Sequence, residues 1–290
     1  MKRYHDIAGD GGSKILEQVV EQRARITQGL AGVRHLVAVG SGKGGVGKST
    51  LTLHLAHALR SRGLRIAILD ADFNGPSQAR MAGVQGGVFV PGRQKVALPR
   101  TSSGIGVFSM GSVIPESEAL EFESAATGES HTWRATREFA LLTDVLGSFE
   151  WGELDLLLFD LPPGAERTVQ YADYLDPRTS FVLVTVPSDV SRGVVARSAA
   201  ALATRAKRVL GYVENMSGYY CRDCRGIKPL FDSGASSLDL PRLGAVPFDP
   251  ELARHCDRGL PLAELADTPV GLALDEVAVR LLNRLEDQPR

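Results

Sequence analysis

The strongest constraint on this chain is one glycine-rich stretch. It runs Gly40-Ser41-Gly42-Lys43-Gly44-Gly45-Val46-Gly47-Lys48-Ser49-Thr50. From Gly42 to Ser49 it matches the phosphate-cradling pattern G-x-x-x-x-G-K-[ST]. Glycines at 42, 44, 45 and 47 free the backbone for conformations other residues resist, so successive N–H groups can converge on phosphate oxygens. Lys48 supplies a point charge for the outer phosphates, and the Ser49 hydroxyl is placed to ligate Mg²⁺. The flanks agree. Leu36-Val37-Ala38-Val39 reads as a buried strand, and 49–60 reads as a helix with Leu51, Leu55 and Leu59 on one face. Phosphates would then meet a helix N-terminus, where the dipole favours anions. The predicted nucleotide contacts are Gly42, Lys43, Gly44, Gly45, Val46, Gly47, Lys48, Ser49 and Thr50.

Lys43 sits where such loops usually leave a free position. It is close to the phosphates but has little room to fold back onto its own. A nucleotide held by a second, facing subunit is within its reach.

The rest of the pattern implies an α/β fold. Near-continuous apolar runs at 65–69, 105–110, 154–159, 180–186 and 208–213 alternate with helical patterns at 133–147, 191–206 and 271–286. That order predicts a mostly parallel, doubly wound sheet covered on both faces. Residues 13–30 form an amphipathic leading helix, and residues 83–104, rich in Gly and Pro, predict a loop or short hairpin. We expect a helical extension over 1–33 and a nucleotide-binding domain over 34–290. Functional groups should gather at the carboxyl ends of the strands. Asp70, Asp72 and Asp160 all fall there. Asp160 suits Mg²⁺, directly or through water; Asp72 could orient an attacking water; Asp70 reads as structural.

Composition narrows the class. With 43% hydrophobic residues over 290 positions, a large single core is available. A net charge of −1 gives no basic signature for nucleic acid. No apolar run approaches a membrane span, and the polar start shows no signal peptide. Three cysteines are too few for a disulfide framework and fit a reducing cytoplasm.

Cys221-Arg222-Asp223-Cys224 is a C-x-x-C in a loop-like stretch. Alone it is open between zinc, a redox disulfide and iron–sulfur. A closed metal site needs about four thiolate or imidazole ligands. This stretch offers two and no nearby histidine. Two identical chains around a twofold axis would supply four, and the same axis suits a Lys43 reaching across. Cys256 reads as a small packed residue. The six histidines lack chelating spacing, and His54 and His57 read as helix residues.

Taken together, these segments resemble the Mrp/ApbC group of iron–sulfur carrier ATPases, P-loop NTPases related to MinD and ParA. The likeness covers about 34–270. It rests on the loop with its extra lysine, Leu69-Asp70-Ala71-Asp72-Phe73-Asn74-Gly75-Pro76-Ser77, Ser109-Met110-Gly111 and Asp160-Leu161-Pro162-Pro163-Gly164. It continues with Val213-Glu214-Asn215-Met216-Ser217 ahead of the cysteine pair, and with Val246-Pro247-Phe248-Asp249-Pro250-Glu251. The resemblance implies a slow ATPase that works as a homodimer. It would carry a labile 4Fe–4S cluster between subunits on Cys221 and Cys224 and pass it to apo-proteins, alongside cluster-assembly proteins. It further implies that Lys43 acts in trans, that Asp72 assists water attack, and that Asn215 contacts adenine.

Three segments depart from the group. Residues 1–33 are too short for the small N-terminal domain it often carries. Ala165-Glu166-Arg167 stand where it usually has Thr-Gly-Asp. The link before Trp133-Arg134 is expanded, with Glu116, Glu118, Glu121, Glu123 and Glu129 and no Lys or Arg from 115 to 131. We expect a docking or lid element there.

The competing class is a MinD/ParA-like organiser cycling on membrane or DNA. The tail, Leu285-Glu286-Asp287-Gln288-Pro289-Arg290, lacks the basic amphipathic character of a membrane anchor. Arg205, Lys207 and Arg208 make only a small basic cluster. A nitrogenase-like iron protein would place its two cysteines on separate segments.

Overall fold

The computed structural model describes residues 15–86, 96–112, 131–231, 238–260 and 262–287. The acidic run from Glu116 to Glu129 lies outside the described residues.

In chain order the elements are α1 (Ile15–Gly29), β1 (Val33–Ser41), α2 (Lys48–Ser61), β2 (Ile66–Asp70), α3 (Gln78–Met81), β3 (Val96–Ala97), β4 (Gly106–Phe108), α4 (His131–Ser148), β5 (Phe149–Glu150), β6 (Leu154–Asp160), α5 (Ala165–Tyr174), β7 (Ser180–Thr185), α6 (Asp189–Ala203), β8 (Val209–Cys221), β9 (Gly226–Lys228), β10 (Arg242–Phe248), α7 (Pro250–Arg258) and α8 (Pro269–Glu286).

The main sheet runs β10-β8-β7-β1-β6-β2-β4, all parallel, with β9 antiparallel to β8. The middles of its strands are apolar because both faces are covered. Side chains alternate between two cores, as the two-residue period of a strand requires. Val37, Val39, Ile66, Ile68, Leu156, Leu158, Val182 and Val184 join the core under α2, α7 and α8. Leu36, Ala38, Ala67, Leu69, Leu157, Phe159, Phe181 and Leu183 join the core under α1, α4, α5 and α6. The leading helix α1 packs on α4, burying Ile26 and Leu30.

Two expectations change. Within 83–104, Val96 and Ala97 pair in parallel with Phe149 and Glu150, not with a hairpin partner. The strand expected at 208–213 extends to Cys221. Beyond Asn215 its register against β10 shifts before Tyr219 pairs with Phe248, with Met216 in the left-handed region at φ 53°, and the chain turns back as a hairpin with β9. The cysteine pair therefore sits on a hairpin rather than in an irregular loop.

His54 and His57 lie on the core-facing side of α2. Burial lowers both, His54 to about 3 and His57 to about 4, with the His57 and His255 charges adding to the effect at His54. Both stay neutral in the fold at pH values where the unfolded chain protonates them near 6.5. The stability these two sites contribute is therefore full above about pH 6.5 and is lost as pH falls toward the folded values. Near pH 5 unfolding takes up close to two protons at these sites, a slope of about 2–3 kcal/mol per pH unit. Denaturant titrations between pH 7 and 4.5 should show the slope of His57→Gln lower than that of the wild-type protein by about one proton, roughly 1.4 kcal/mol per pH unit near pH 5.

Candidate functional site

The sheet order puts β1 between β7 and β6, so the loop after β1 leaves from the middle of the carboxyl edge. Gly45 and Gly47 both take φ 79°, a left-handed value that admits glycine without strain. Ser41 Oγ donates to the Lys43 carbonyl at 3.0 Å, and Gly164 N donates to the Ser41 carbonyl at 3.1 Å, tying the loop's entry to the segment after β6. The loop delivers Lys48, 6% exposed, into the sheet edge.

Register settles what Lys48 meets. Asp160 stands opposite Val39 on one side and Asp70 on the other. The Lys48 ammonium pairs with Asp160 Oδ1 and donates to Ser49 Oγ at 3.0 Å. Thr52 Oγ1 donates to the same carboxylate at 3.3 Å, and Gln78 Nε2 donates to Asp160 Oδ2 at 2.8 Å and to the Ser49 carbonyl at 2.9 Å. Gln78 carried no signal in the sequence beyond its place after Gly-Pro-Ser. It is fully buried, and its Oε1 has no hydrogen-bond partner among the described residues.

Asp70 organises the next turn. It accepts from Ser77 N and Gln78 N, each at 3.0 Å, and from Ser109 Oγ at 2.9 Å. Burial, then the Asp160 carboxylate, push it up to about 7. The half-buried Asp72 lies at the mouth, where Gly75 N donates to its Oδ1 at 3.2 Å. Burial raises Asp72, opposed by the Lys48 charge and the Gly75 amide. Asn215 reaches the loop from β8, donating from Nδ2 to the Val46 carbonyl at 2.9 Å.

So Lys48, Ser49, Asp70, Asp72, Asp160 and Asn215 come together around one loop. Lys43 is exposed on its outer side. Cys221 and Cys224 stand apart, six and nine residues beyond Asn215. Cys221 pairs with Gly226 across the hairpin, and Cys224 is exposed in its turn. The Cys224 amide and thiol, with the Asp223 amide, hold Cys221 below the usual thiol range. That favours the thiolate, the form that binds metal. Arg222, between the cysteines, pairs with the buried Asp249 at 3.0 Å and with Glu251 at 3.7 Å, pinning the turn to the start of α7. Cys256 is buried, 3.8 Å from His54 Nε2, and burial pushes its thiol up to about 11.

A family model described as NUBPL iron-transfer P-loop NTPase, of the ParA group, matches residues 32–282. The chain belongs to this family. Among its relatives, a bovine protein named cytosolic Fe-S cluster assembly factor NUBP2 is 37% identical over 266 residues, covering 88% of this chain and 94% of that one. The iron-sulfur cluster carrier protein of Saccharolobus solfataricus is 30% identical over 280 residues, covering 94% and 91%. A nucleotide-binding protein of Archaeoglobus fulgidus, solved with ADP, superposes with a TM-score of 0.68 at 29% identity, over 82% of this chain and 91% of that one. The MinD cell division protein of Aquifex aeolicus shares the fold, with a TM-score of 0.58 at 21% identity over 88% and 98%. No helix among the described residues is long and apolar enough to cross a membrane.

The loop geometry makes Gly47→Ala informative. A Cβ at residue 47 would lie 2.2 Å from Asn215 Nδ2, on a backbone at φ 79°. The left-handed strain costs roughly 1–2 kcal/mol, and the displaced Asn215–Val46 bond about 1 more. Denaturant unfolding should show a loss of about 2–3 kcal/mol, and a fluorescent ADP analogue should bind at least tenfold more weakly.

Proposed function

We propose that this protein is a cytoplasmic, ATP-hydrolysing homodimer. It receives a 4Fe–4S cluster as cargo between its subunits and hands it to apo-proteins, working alongside cluster-assembly proteins. The observation that carries this reading is the placement of the cysteine pair. Cys221 ends the same strand whose Asn215 holds the phosphate loop. One chain supplies two thiols on an exposed turn; a symmetric pair supplies the four that such a cluster uses. The names of the bovine and Saccharolobus relatives point the same way.

The residues fit ATP and Mg²⁺. The loop amides and Lys48 suit the phosphates. The Ser49 hydroxyl, the Asp160 carboxylate and the unpartnered Gln78 Oε1 form an oxygen donor set of the kind Mg²⁺ takes, directly or through water. Bound there, the ion would neutralise charge between the outer phosphates. Asp72, at the rim, orients the attacking water. Lys43, exposed on the outer side of the loop, serves the nucleotide of the facing subunit, and Asn215 contacts adenine. Neither nucleic acid nor membrane is a partner in this scheme.

Anaerobic reconstitution tests the reading. The wild-type protein should bind about four irons per dimer. Cys221→Ser should lose the iron and keep ADP binding; unchanged iron would remove the cysteine assignment. Lys43→Ala should keep ADP binding and lose most ATP turnover, and mixing it with an Asp72→Ala chain, itself inactive, should restore part of that turnover.

Lys48→Ala should abolish nucleotide binding. It should also cost about 3 kcal/mol in unfolding experiments, because it strands the buried Asp160 carboxylate.

A further inference from the structure

Arg167 stands where the family resemblance leads one to expect another residue, and the structure gives it a partner. Glu138 of α4 is 5% exposed. A carboxylate so far out of water needs compensation. Arg167, in the first turn of α5, pairs with Glu138 Oε2, while Asn74 Nδ2 donates to Glu138 Oε1. The guanidinium lies 5.9 Å from the Phe139 ring centre and 5.4 Å from that of Tyr171, and its Nη1 donates to Gln170 Oε1 at 3.1 Å. Those contacts fix its direction. A second tie runs in parallel: Tyr171 Oη donates to the Ala71 carbonyl at 2.8 Å.

Both ties join α5, which follows Pro162-Pro163-Gly164, to the segment after β2. Asn74 is itself exposed; the Gly75 amide donates to Asp72 within its turn, and Asp70 accepts from the Asp72 and Ser77 amides at the turn's two ends. The bond to a buried, charge-paired carboxylate adds a constraint at the exposed tip that these backbone bonds do not supply. We propose that Arg167 is a positioning residue: through Glu138 and Asn74 it holds the Asp72–Gly75 turn in register with the phosphate loop. The inference rests on the reading of Asp72 as the water-orienting residue. It assigns the departure at 165–167 a role in ATP hydrolysis.

The test compares Arg167→Gln, Arg167→Lys and Asn74→Ala with the wild-type protein. ATP turnover, affinity for a fluorescent ADP analogue, and hydrogen exchange over residues 72–78 are measured on each. Misplacing a group by about 1 Å costs on the order of 100-fold in rate. Arg167→Gln should therefore lower kcat by roughly 10- to 100-fold, leave KM and ADP affinity within about threefold, and speed exchange over 72–78. Arg167→Lys, which keeps the charge and loses the planar fork, should recover part of both effects. Asn74→Ala leaves the ion pair intact and removes no buried charge, so it should fold normally and reproduce the turnover and exchange changes. Unchanged kcat and exchange in Asn74→Ala would overturn the proposal. So would loss of ADP affinity in parallel with kcat in Arg167→Gln, the mark of general damage. A wild-type protein that turns over no ATP would refute the proposed function instead, and the exchange comparison would still decide whether Arg167 holds the turn.

Discussion

The buried pair between Lys48 and Asp160 is the contact on which the site is built. Asp160 has no exposure, and Lys48 has very little. Desolvating both charges is costly, and the cost is offset only if the remaining lone pairs find donors. Here they do: Thr52 from α2 shares Oδ1 and Gln78 from α3 takes Oδ2. One carboxylate thus joins the loop after β1, the end of β6 and the short helix after β2. Phosphate at the loop would share Lys48 with Asp160 and so act at once on three elements. That is a physical basis for a nucleotide to influence the turn that holds Asp72.

The phosphate loop was legible in the sequence because its chemistry is local. Consecutive glycines, a lysine and a hydroxyl act as a unit of eleven residues, and the flanking apolar runs have one interpretation. The strand-end aspartates were legible for the same reason, since an acid closing an apolar run has few other roles. Asp70 read as structural and is bound by three backbone amides and Ser109, as a turn-organising acid would be.

What sequence could not show was fixed by distant partners. Strand β8 looked finished near residue 213, because Glu214 and Asn215 break the apolar run. It continues because β9 supplies an antiparallel partner while β10 pairs again at Tyr219 after a register shift, and Met216 lies within that shift at φ 53°. Gln78 and Glu138 are single polar residues with no pattern around them. Each gains meaning only when a helix sets it beside a charge from elsewhere: Asp160, 82 residues away, for Gln78 and Arg167, 29 away, for Glu138. The pairing of Val96 and Ala97 with Phe149 and Glu150 is of the same kind.

The separation between nucleotide and cysteines is itself instructive. Six residues of strand part Asn215 from Cys221, at most roughly 20 Å of extended chain. Two physical connections span it. One is β8 itself, interrupted at Met216. The other leaves the turn through Arg222 to Asp249, passes along α7, and crosses to α3 where Arg80 Nε donates to the Asp257 carbonyl at 3.1 Å; α3 carries Gln78 back to Asp160. Packed side chains of this kind have discrete arrangements rather than a continuous range. A nucleotide-driven change at Asp160 can therefore reach the thiols by altering the strand at Met216 or the clasp at Arg222. Of the two, the clasp is the more yielding. Arg222 is half in solvent, where an ion pair contributes little, whereas the strand is held by ladders on both sides up to Glu214 and pairs again with β10 at Tyr219.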